Sequence, residues 1–130
     1  MTEQQRKDII KFRLGKARET FNEVKVLVEN EFWNTAVNRI YYACFYAVTA
    51  LLIKNGLNTQ THAGTRQMFG LHFVKTAIIA KESGNFYTDI FDLRQTGDYE
   101  DFFDFNKATV LDLIEPANRL IAEIETLLLE

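Results

Sequence analysis

The sequence predicts an all-α protein, an up-and-down bundle of about five helices. One proline and six glycines in 130 residues argue against a loop-rich all-β chain. The segment from Asn34 to Asn55 carries only two charged side chains, which suits a helix in the middle of a bundle. Apolar residues recur at spacings of three and four near both ends of the chain. The length favours a single domain spanning residues 1–130.

The first predicted helix begins at Thr2, which can form a capping box with Gln5. Its inward face consists of Ile10, Leu14, Ala17, Phe21, Val24 and Val28. The opposite face is basic and comprises Arg6, Lys11, Arg13, Lys16, Arg18 and Lys25. This stripe is interpreted as solvated rather than phosphate-binding, because Glu19 and Glu23 interrupt it and can pair with their neighbours.

The central helix is predicted to begin at an Asn34 cap and to end at Asn55-Gly56. A period of 3.6 residues gives it two apolar stripes and one polar aromatic stripe. The first apolar stripe consists of Val37, Tyr41, Cys44, Val48 and Leu51, and the second consists of Ile40, Ala43, Ala47 and Ala50. The polar aromatic stripe consists of Arg39, Tyr42, Tyr46 and Thr49. We expect Tyr41, Cys44, Phe45 and Val48 to be buried at the centre of the bundle.

Three further helical segments complete the predicted bundle. A third helix runs from about His62 to Lys81, with Phe69, Phe73, Ala77 and Ala80 facing inward. After a turn at Ser83–Asn85, a short fourth helix contains Phe86, Ile90 and Leu93 and ends at Gly97. Asn106 caps a last helix, which Pro116 is expected to kink. The inward residues of this helix are Val110, Leu113, Ile114, Ala117, Ile121, Ile124 and Leu128.

Charge and motifs exclude several classes of function. Residues 1–80 hold 11 basic and 6 acidic side chains, whereas residues 81–130 hold 4 and 12. Because the isoelectric point of the chain is about 5.4, it is not expected to bind nucleic acid broadly, and any nucleic-acid contact must be local. The N-terminus lacks the features of a signal peptide, and the chain is expected to be cytoplasmic, with no membrane span. Cys44 is interpreted as a buried structural cysteine. No cofactor or metal is expected, because His62 and His72 are ten residues apart and enzyme motifs are absent.

One constellation remains near the end of the fourth helix, Leu93-Arg94-Gln95-Thr96-Gly97-Asp98-Tyr99. Four positions separate Arg94 from Asp98, so the two can pair on one helical face beside Tyr99. The arrangement fits a salt bridge at a helix end. It also fits an arginine that anchors a phosphate, with a carboxylate and a phenol near the reacting group.

These segments resemble a known family over nearly the whole chain. The stretches AVNRIYYACFYAVTALLIKNG, HAGTRQMFGLHFVK and DLRQTGDY, followed by a long final helix, are similar to small prokaryotic proteins of the HEPN superfamily. The resemblance implies a homodimeric helical bundle, often paired with a minimal nucleotidyltransferase in toxin–antitoxin systems. Many members are metal-independent ribonucleases whose signature is an arginine followed four to six residues later by a histidine. Only Arg94 matches that signature here.

The missing histidine determines the functional expectation. RNA cleavage through the 2′-hydroxyl requires a group that exchanges protons near neutral pH, and Asp98 beside Arg94 is a poor substitute. We therefore expect a HEPN module with a degenerate site that dimerises and binds a protein partner or a nucleotide. Its anion site would comprise Arg94, Tyr99, Arg39 and Tyr42. The alternative is a ribonuclease toxin acting on RNA through Arg94, Asp98 and Tyr99.

Overall fold

A computed structural model of the protein describes residues 1–129, which form an all-α bundle. Five helices, α1 to α5, follow one another along the chain, and these residues contain no strand. Their bounds are Glu3–Glu29, Trp33–Lys54, His62–Phe69, Lys81–Tyr99 and Lys107–Leu129. The all-α prediction is therefore confirmed.

The second helix is the centre of the bundle. It contacts α1, α3, α4 and α5, and both predicted apolar stripes are buried along their whole length. Phe45 is the exception among the four residues expected at the centre, because it is only partly buried. By length and composition α2 could also cross a membrane, but 67% of its most apolar window is buried inside the bundle. Composition alone therefore does not distinguish this core helix from a membrane span.

The predicted start of α2 is wrong. The helix begins at Trp33, and Asn34 lies inside its first turn instead of capping it. The Asn34 side chain contacts the segment after α4: its Nδ2 donates to the Phe103 carbonyl at 2.9 Å, and its Oδ1 accepts from the Phe105 backbone N–H at 2.8 Å. At the other end, Gly56 has a φ of 73°, as the prediction of a left-handed residue there requires.

The first helix has the predicted capping box, with Gln5 N–H donating to Thr2 Oγ1 and Thr2 N–H donating to Gln5 Oε1. The prediction that its basic stripe is solvated holds only in part. Arg13 donates to Thr49 Oγ1 of α2 at 2.9 Å, and Arg18 forms a two-pronged pair with Glu125 of α5. These two arginines reach neighbouring helices because α1 lies against both α2 and α5.

The third helix is shorter than predicted. The α-helical part ends at Phe69, and a single π-helical turn follows at Gly70–Val74, in which Lys75 N–H donates to the Gly70 carbonyl at 2.8 Å. The chain then leaves the helical path at Ala77, which has a φ of 62°. Phe69 and Phe73 are buried as predicted, but Ala77 and Ala80 are exposed, since the helix does not extend that far.

The fourth helix is longer than predicted at both ends. The expected turn at Ser83–Asn85 belongs to its first turns, and Gly97 lies inside the helix rather than after it. The glycine is explained by packing, because a Cβ on Gly97 would lie 2.5 Å from Cε2 of the buried Phe105 ring. Gly97 therefore makes room for Phe105 rather than ending the helix.

The last helix begins as predicted, with Thr109 N–H donating to Asn106 Oδ1 at 2.9 Å. It continues through Pro116 to Leu129. Five of the seven predicted inward residues are buried, and Ile114 and Leu128 pack at the edge of the core. A kink at Pro116 stays a prediction.

Candidate anion-binding face

Arg94 is the most deeply buried cation near the predicted constellation. It lies on the side of α4 that faces α2, and only 5% of its surface is exposed. Its guanidinium carbon is 4.8 Å from the centroid of the Tyr41 ring, 5.8 Å from that of Tyr42 and 6.0 Å from that of Tyr99. Aromatic faces attract a guanidinium electrostatically, so the α2 rings fix the position of this charge.

The charge of Arg94 is only partly balanced. Because α4 continues to Tyr99, Asp98 lies one turn beyond Arg94, and its Oδ2 is 3.6 Å from Arg94 Nη1. Asn38 Nδ2 donates to the same carboxylate oxygen at 3.0 Å, which holds Asp98 against α2. Arg94 Nε is buried and has no hydrogen-bond partner among residues 1–129. A buried donor without a partner costs about 1–3 kcal/mol.

Arg39 and Tyr42 extend the site along α2. The Arg39 guanidinium carbon is 5.1 Å from the Tyr42 ring centroid, and its Nε and Nη2 donate to Asn38 Oδ1 at 3.1 and 2.9 Å. The structure thus brings together four residues selected from the sequence, Arg39, Tyr42, Arg94 and Asp98. Tyr99 borders them, but its side chain is 74% exposed.

His62 is a site residue that sequence reasoning missed. It is the first residue of α3, after the Thr61 cap, and its Nδ1 lies 2.7 Å from the Tyr41 hydroxyl oxygen. The imidazole is also 4.5 Å from the Phe45 ring and 5.7 Å from the Tyr42 ring, measured between centroids. Burial, and then the positive charge of Arg94, lower the pKa of His62 below its usual value of 6.5. His62 is therefore neutral at neutral pH.

The partly exposed aromatic residues of α2 connect these charges. Tyr42, Phe45 and Tyr46 contact one another at centroid distances of 5.9–6.3 Å. Arg13 of α1 lies beyond Phe45 and lines a shallow pocket with His62 and Thr49. We call this continuous surface the Arg94 face. It comprises Arg13, Arg39, Tyr42, Phe45, Tyr46, His62 and Arg94.

Two phenols and a thiol beneath this face are neutral. Burial raises the pKa of Tyr41 to about 12 and that of Tyr87 well above its usual value. Cys44 is completely buried, and burial raises the pKa of its thiol. No thiolate or phenolate therefore opposes the positive charge of Arg94 from below, and Cys44 has the buried position expected for it.

Comparison with known proteins decides the family. The profile of the HEPN domain matches residues 10–127. The chain belongs to the HEPN family. A UPF0332 protein of Thermotoga maritima is 41% identical over 95% of this chain and 94% of its own length.

Two relatives from Methanocaldococcus jannaschii are named as toxins. "Putative toxin MJ0605" is 41% identical over 64% of this chain and 62% of its own length. "Putative toxin MJ0142" is 35% identical over 72% of this chain and 64% of its own length. The match thus spans less than two thirds of either toxin-named relative. This HEPN chain is similar to proteins named as toxins and has the helical architecture that the family resemblance implied.

The HEPN match includes every residue of the Arg94 face. Arg39, Tyr42 and Tyr46 were visible in the sequence as one stripe of α2. Arg13 and His62 were not, because they approach that stripe from other helices. A local sequence pattern cannot reveal residues that only the packing of α1 and α3 on α2 brings to the site.

Proposed function

We propose that this HEPN protein is a toxin-type module that binds RNA or nucleotide phosphates along the Arg94 face. The observation that carries the proposal is the incompletely satisfied guanidinium of Arg94, which is 5% exposed and whose Nε has no hydrogen-bond partner among the described residues 1–129. Within the described part of the chain its one anionic partner is Asp98, at 3.6 Å, beyond normal hydrogen-bond length. A phosphate oxygen would supply the acceptor that Asp98 does not, and arginine matches phosphate geometry well.

The neighbouring residues favour a single-stranded ligand. Nonspecific single-strand sites combine cations that follow the backbone with aromatic rings on which bases stack. On the Arg94 face, Arg13, Arg39 and Arg94 are interspersed with Tyr42, Phe45 and Tyr46. This local arrangement can bind a backbone although the whole chain has a net charge of −3. A surrounding negative field should make that binding strongly dependent on salt.

Asp98 competes with the ligand in this proposal. A phosphate that reaches Arg94 must replace the carboxylate at 3.6 Å. Removing the negative charge of Asp98 should therefore strengthen binding, whereas removing the positive charge of Arg94 should weaken it. A purely structural ion pair would give no such opposite effects on affinity.

The test measures the binding of a labelled single-stranded RNA by fluorescence anisotropy, with chelator present. We expect Arg94→Gln to weaken binding about tenfold or more, which is at least about 1.4 kcal/mol, and Asp98→Asn to strengthen it. Arg119→Gln is the matched control, since this exposed α5 arginine pairs only with Glu115 in the described chain and lies outside the face. Circular dichroism establishes that each variant is folded.

The salt dependence provides a second measurement on the same variants. Each lost phosphate contact should reduce the slope of log affinity against log salt by about 0.7 for a single strand. Equal weakening by Arg94→Gln and Arg119→Gln, with equal slopes, would contradict the proposal, because only net charge would then matter.

We further propose that two copies of the chain form a homodimer whose Arg94 faces border one cleft. The partly exposed rings of Tyr42, Phe45 and Tyr46 support this arrangement, since aromatic residues are enriched at interfaces. A two-fold related copy would also give an open surface an opposite wall. Light scattering at micromolar concentration should give twice the 15.1 kDa chain mass. A mass of one chain would exclude the dimer.

A protein partner is the remaining part of the proposal, and a minimal nucleotidyltransferase is the class that the family resemblance indicates. We propose the acidic segment after α4 as its contact surface. There Phe102 is fully exposed between Asp101 and Asp104, with a φ of 60°. Purification from the native host, where the protein is proposed to act in the cytoplasm, should recover such a partner, and Phe102→Ser should lose it. Recovery of the chain alone would contradict this part.

A further inference from the structure

A cleft lies at the end of the bundle where the first turns of α1 meet the last turns of α2 and α5. The end cleft, as we call it, is lined by residues between Met1 and Leu14, by Lys54 of α2 and by Leu128 and Leu129 of α5. Its volume is about 830 Å³, and sites for small ligands commonly enclose roughly 300–1,000 Å³. It shares no lining residue with the Arg94 face, so its chemistry is independent of Arg94.

Part of the end cleft is aliphatic. Leu14 of α1 and Leu128 of α5 pack against the core but are only partly buried. Ile10 lies one turn before Leu14 on the same face of α1 and is also only partly buried. Met1 and Leu129, which line the cleft as well, are 69% and 89% exposed. An alkyl chain in the cleft would therefore meet aliphatic side chains from two helices and remove them from water.

The end cleft is also strongly basic. Its cations are Arg6, Lys7 and Lys11 of α1 and Lys54 of α2. Glu3 is the one carboxylate among the lining residues that the structure describes, and it lies 3.9 Å from Lys7. Both side chains of this pair are exposed, so the pair neutralises the cleft only weakly. Four cations and one carboxylate give these residues a charge of +3, whereas the whole chain has a charge of −3.

One of the four cations is fixed in place by the fold. Lys54 is half-buried in the last turn of α2, and its Nζ donates to the Leu127 carbonyl of α5 at 3.2 Å. An ammonium group has three N–H donors, and this contact uses one of them. The bond holds the cation at the junction of α2 and α5, beside the aliphatic part of the cleft.

We propose that the end cleft binds a single-chain amphiphilic anion, such as the carboxylate of a fatty acid. Arg6, Ile10 and Leu14 follow one another at spacings of four and so form a row along α1. The row is about 12 Å long at 1.5 Å of rise per residue. The alkyl chain lies along Ile10, Leu14 and Leu128, and the head group accepts hydrogen bonds from Arg6 and Lys11.

The composition of the cleft selects this class of ligand. An inorganic anion would leave the aliphatic side chains in water, and an uncharged lipid would leave the cations without a counterion. A ligand with an anionic head and one alkyl chain matches both parts. Its charge is complementary to the +3 of the lining, and one chain suits the volume of the cleft better than a large two-chain lipid does.

The first test is calorimetric titration of the full chain with octanoate, decanoate and dodecanoate below their micelle concentrations. Dodecanoate should bind with one molecule per chain. Each two methylenes added to the ligand should strengthen binding about tenfold, as burial of alkyl surface requires. Decanol, which has the alkyl chain of decanoate but no charge, should bind at least about fivefold more weakly than decanoate.

The second test compares two double variants that lower the positive charge of α1 equally. Arg6→Gln with Lys11→Gln removes two cations from the cleft and should weaken dodecanoate binding about tenfold. Lys16→Gln with Lys25→Gln is the matched control, because both lysines belong to α1 but neither lines the cleft; it should change the affinity less than twofold. Circular dichroism establishes that each variant is folded.

A variant of the aliphatic part and NMR spectra locate the ligand. Ile10→Gln should weaken dodecanoate binding about fivefold or more, and this half-buried residue lies outside the packed core. In wild type, dodecanoate should shift the methyl signals of Ile10, Leu14 and Leu128. Arg94→Gln should leave dodecanoate binding unchanged, so loss of RNA binding and loss of dodecanoate binding can be told apart.

Several results would overturn the proposed ligand. These are an affinity that does not depend on chain length, binding of decanol as tight as that of decanoate, and equal weakening by the two double variants. Methyl shifts produced by an acidic amphipathic peptide or by phosphatidylglycerol vesicles, but not by dodecanoate, would also overturn it. The end cleft would then be a docking surface for a protein or a membrane.

Discussion

Replacing Gly97 by alanine tests the packing that brings α4 against the segment after it. A Cβ at this position would lie 2.5 Å from Cε2 of Phe105, about 1 Å inside ordinary carbon contact distance. The Phe105 ring is 5% exposed, and its backbone N–H donates to Asn34 Oδ1 at 2.8 Å. The ring therefore cannot move away without loss of packing or of that hydrogen bond.

The size of the effect follows from a matched variant. Gly15 lies in the exposed part of α1, and a Cβ there would meet nothing within 4 Å. Both substitutions should raise the free energy of unfolding by about 0.5–1 kcal/mol, because alanine loses less backbone entropy than glycine on folding. Only Gly97→Ala also introduces overpacking, which costs about 1–3 kcal/mol. The two variants should therefore differ by that cost, or by roughly 4–12 °C in Tm for a chain of this size.

The assay is thermal unfolding followed by circular dichroism at 222 nm, with wild type and both variants in one buffer. Gly15→Ala should raise Tm by a few degrees, and Gly97→Ala should fall below Gly15→Ala by the difference given above. A Gly97→Ala variant as stable as Gly15→Ala would refute the reasoning. Phe105 would then not be packed against α4 as the structure has it.

Two further predictions concern titratable groups. The imidazole of His62 should titrate below 6.5 in NMR spectra of the folded protein. Between that pKa and the value of about 6.5 in the unfolded chain, the unfolded chain binds more protons than the folded one. The free energy of unfolding should therefore decrease as pH falls through this window. His62→Gln should remove that component, and an unchanged pH dependence would contradict it. Cys44 should fail to react with a thiol reagent until the protein is unfolded, because its thiol is completely buried and its pKa is raised. Rapid modification of the native protein would contradict this prediction and show that α2 is accessible.

The sequence predicted the central helix and its surroundings well because the signal there is local and redundant. Nine apolar positions of α2 agree with one helical period, and a helix with two charges in 22 residues can be stable in water only when others cover it. The capping residues Thr2 and Asn106 acted within their own helices, so their positions could also be predicted. Arg94 and Asp98 were paired by their spacing of four, which is equally local.

The errors occurred where contacts distant in sequence override local preference. Gly97 was predicted to end α4, but its missing Cβ accommodates Phe105. Asn34 was predicted to cap α2, but its amide binds the backbone of residues 103 and 105. The third helix ended earlier than predicted, at Phe69, and after the π turn the chain changes direction at Ala77 with a left-handed φ, which alanine rarely adopts.

The sequence by itself determined the all-α class, the identity of the core helix and the arginine at the proposed site. Only the tertiary structure decided that Arg94 is buried among tyrosines and that His62 lies on the same face. The reason is that a helical period specifies which residues share a face of one helix, whereas the position of one helix on another depends on the packing of all of them. His62 and Arg94 are 32 residues apart in the sequence, and only the packing of α3 and α4 around the Tyr41 ring brings them together.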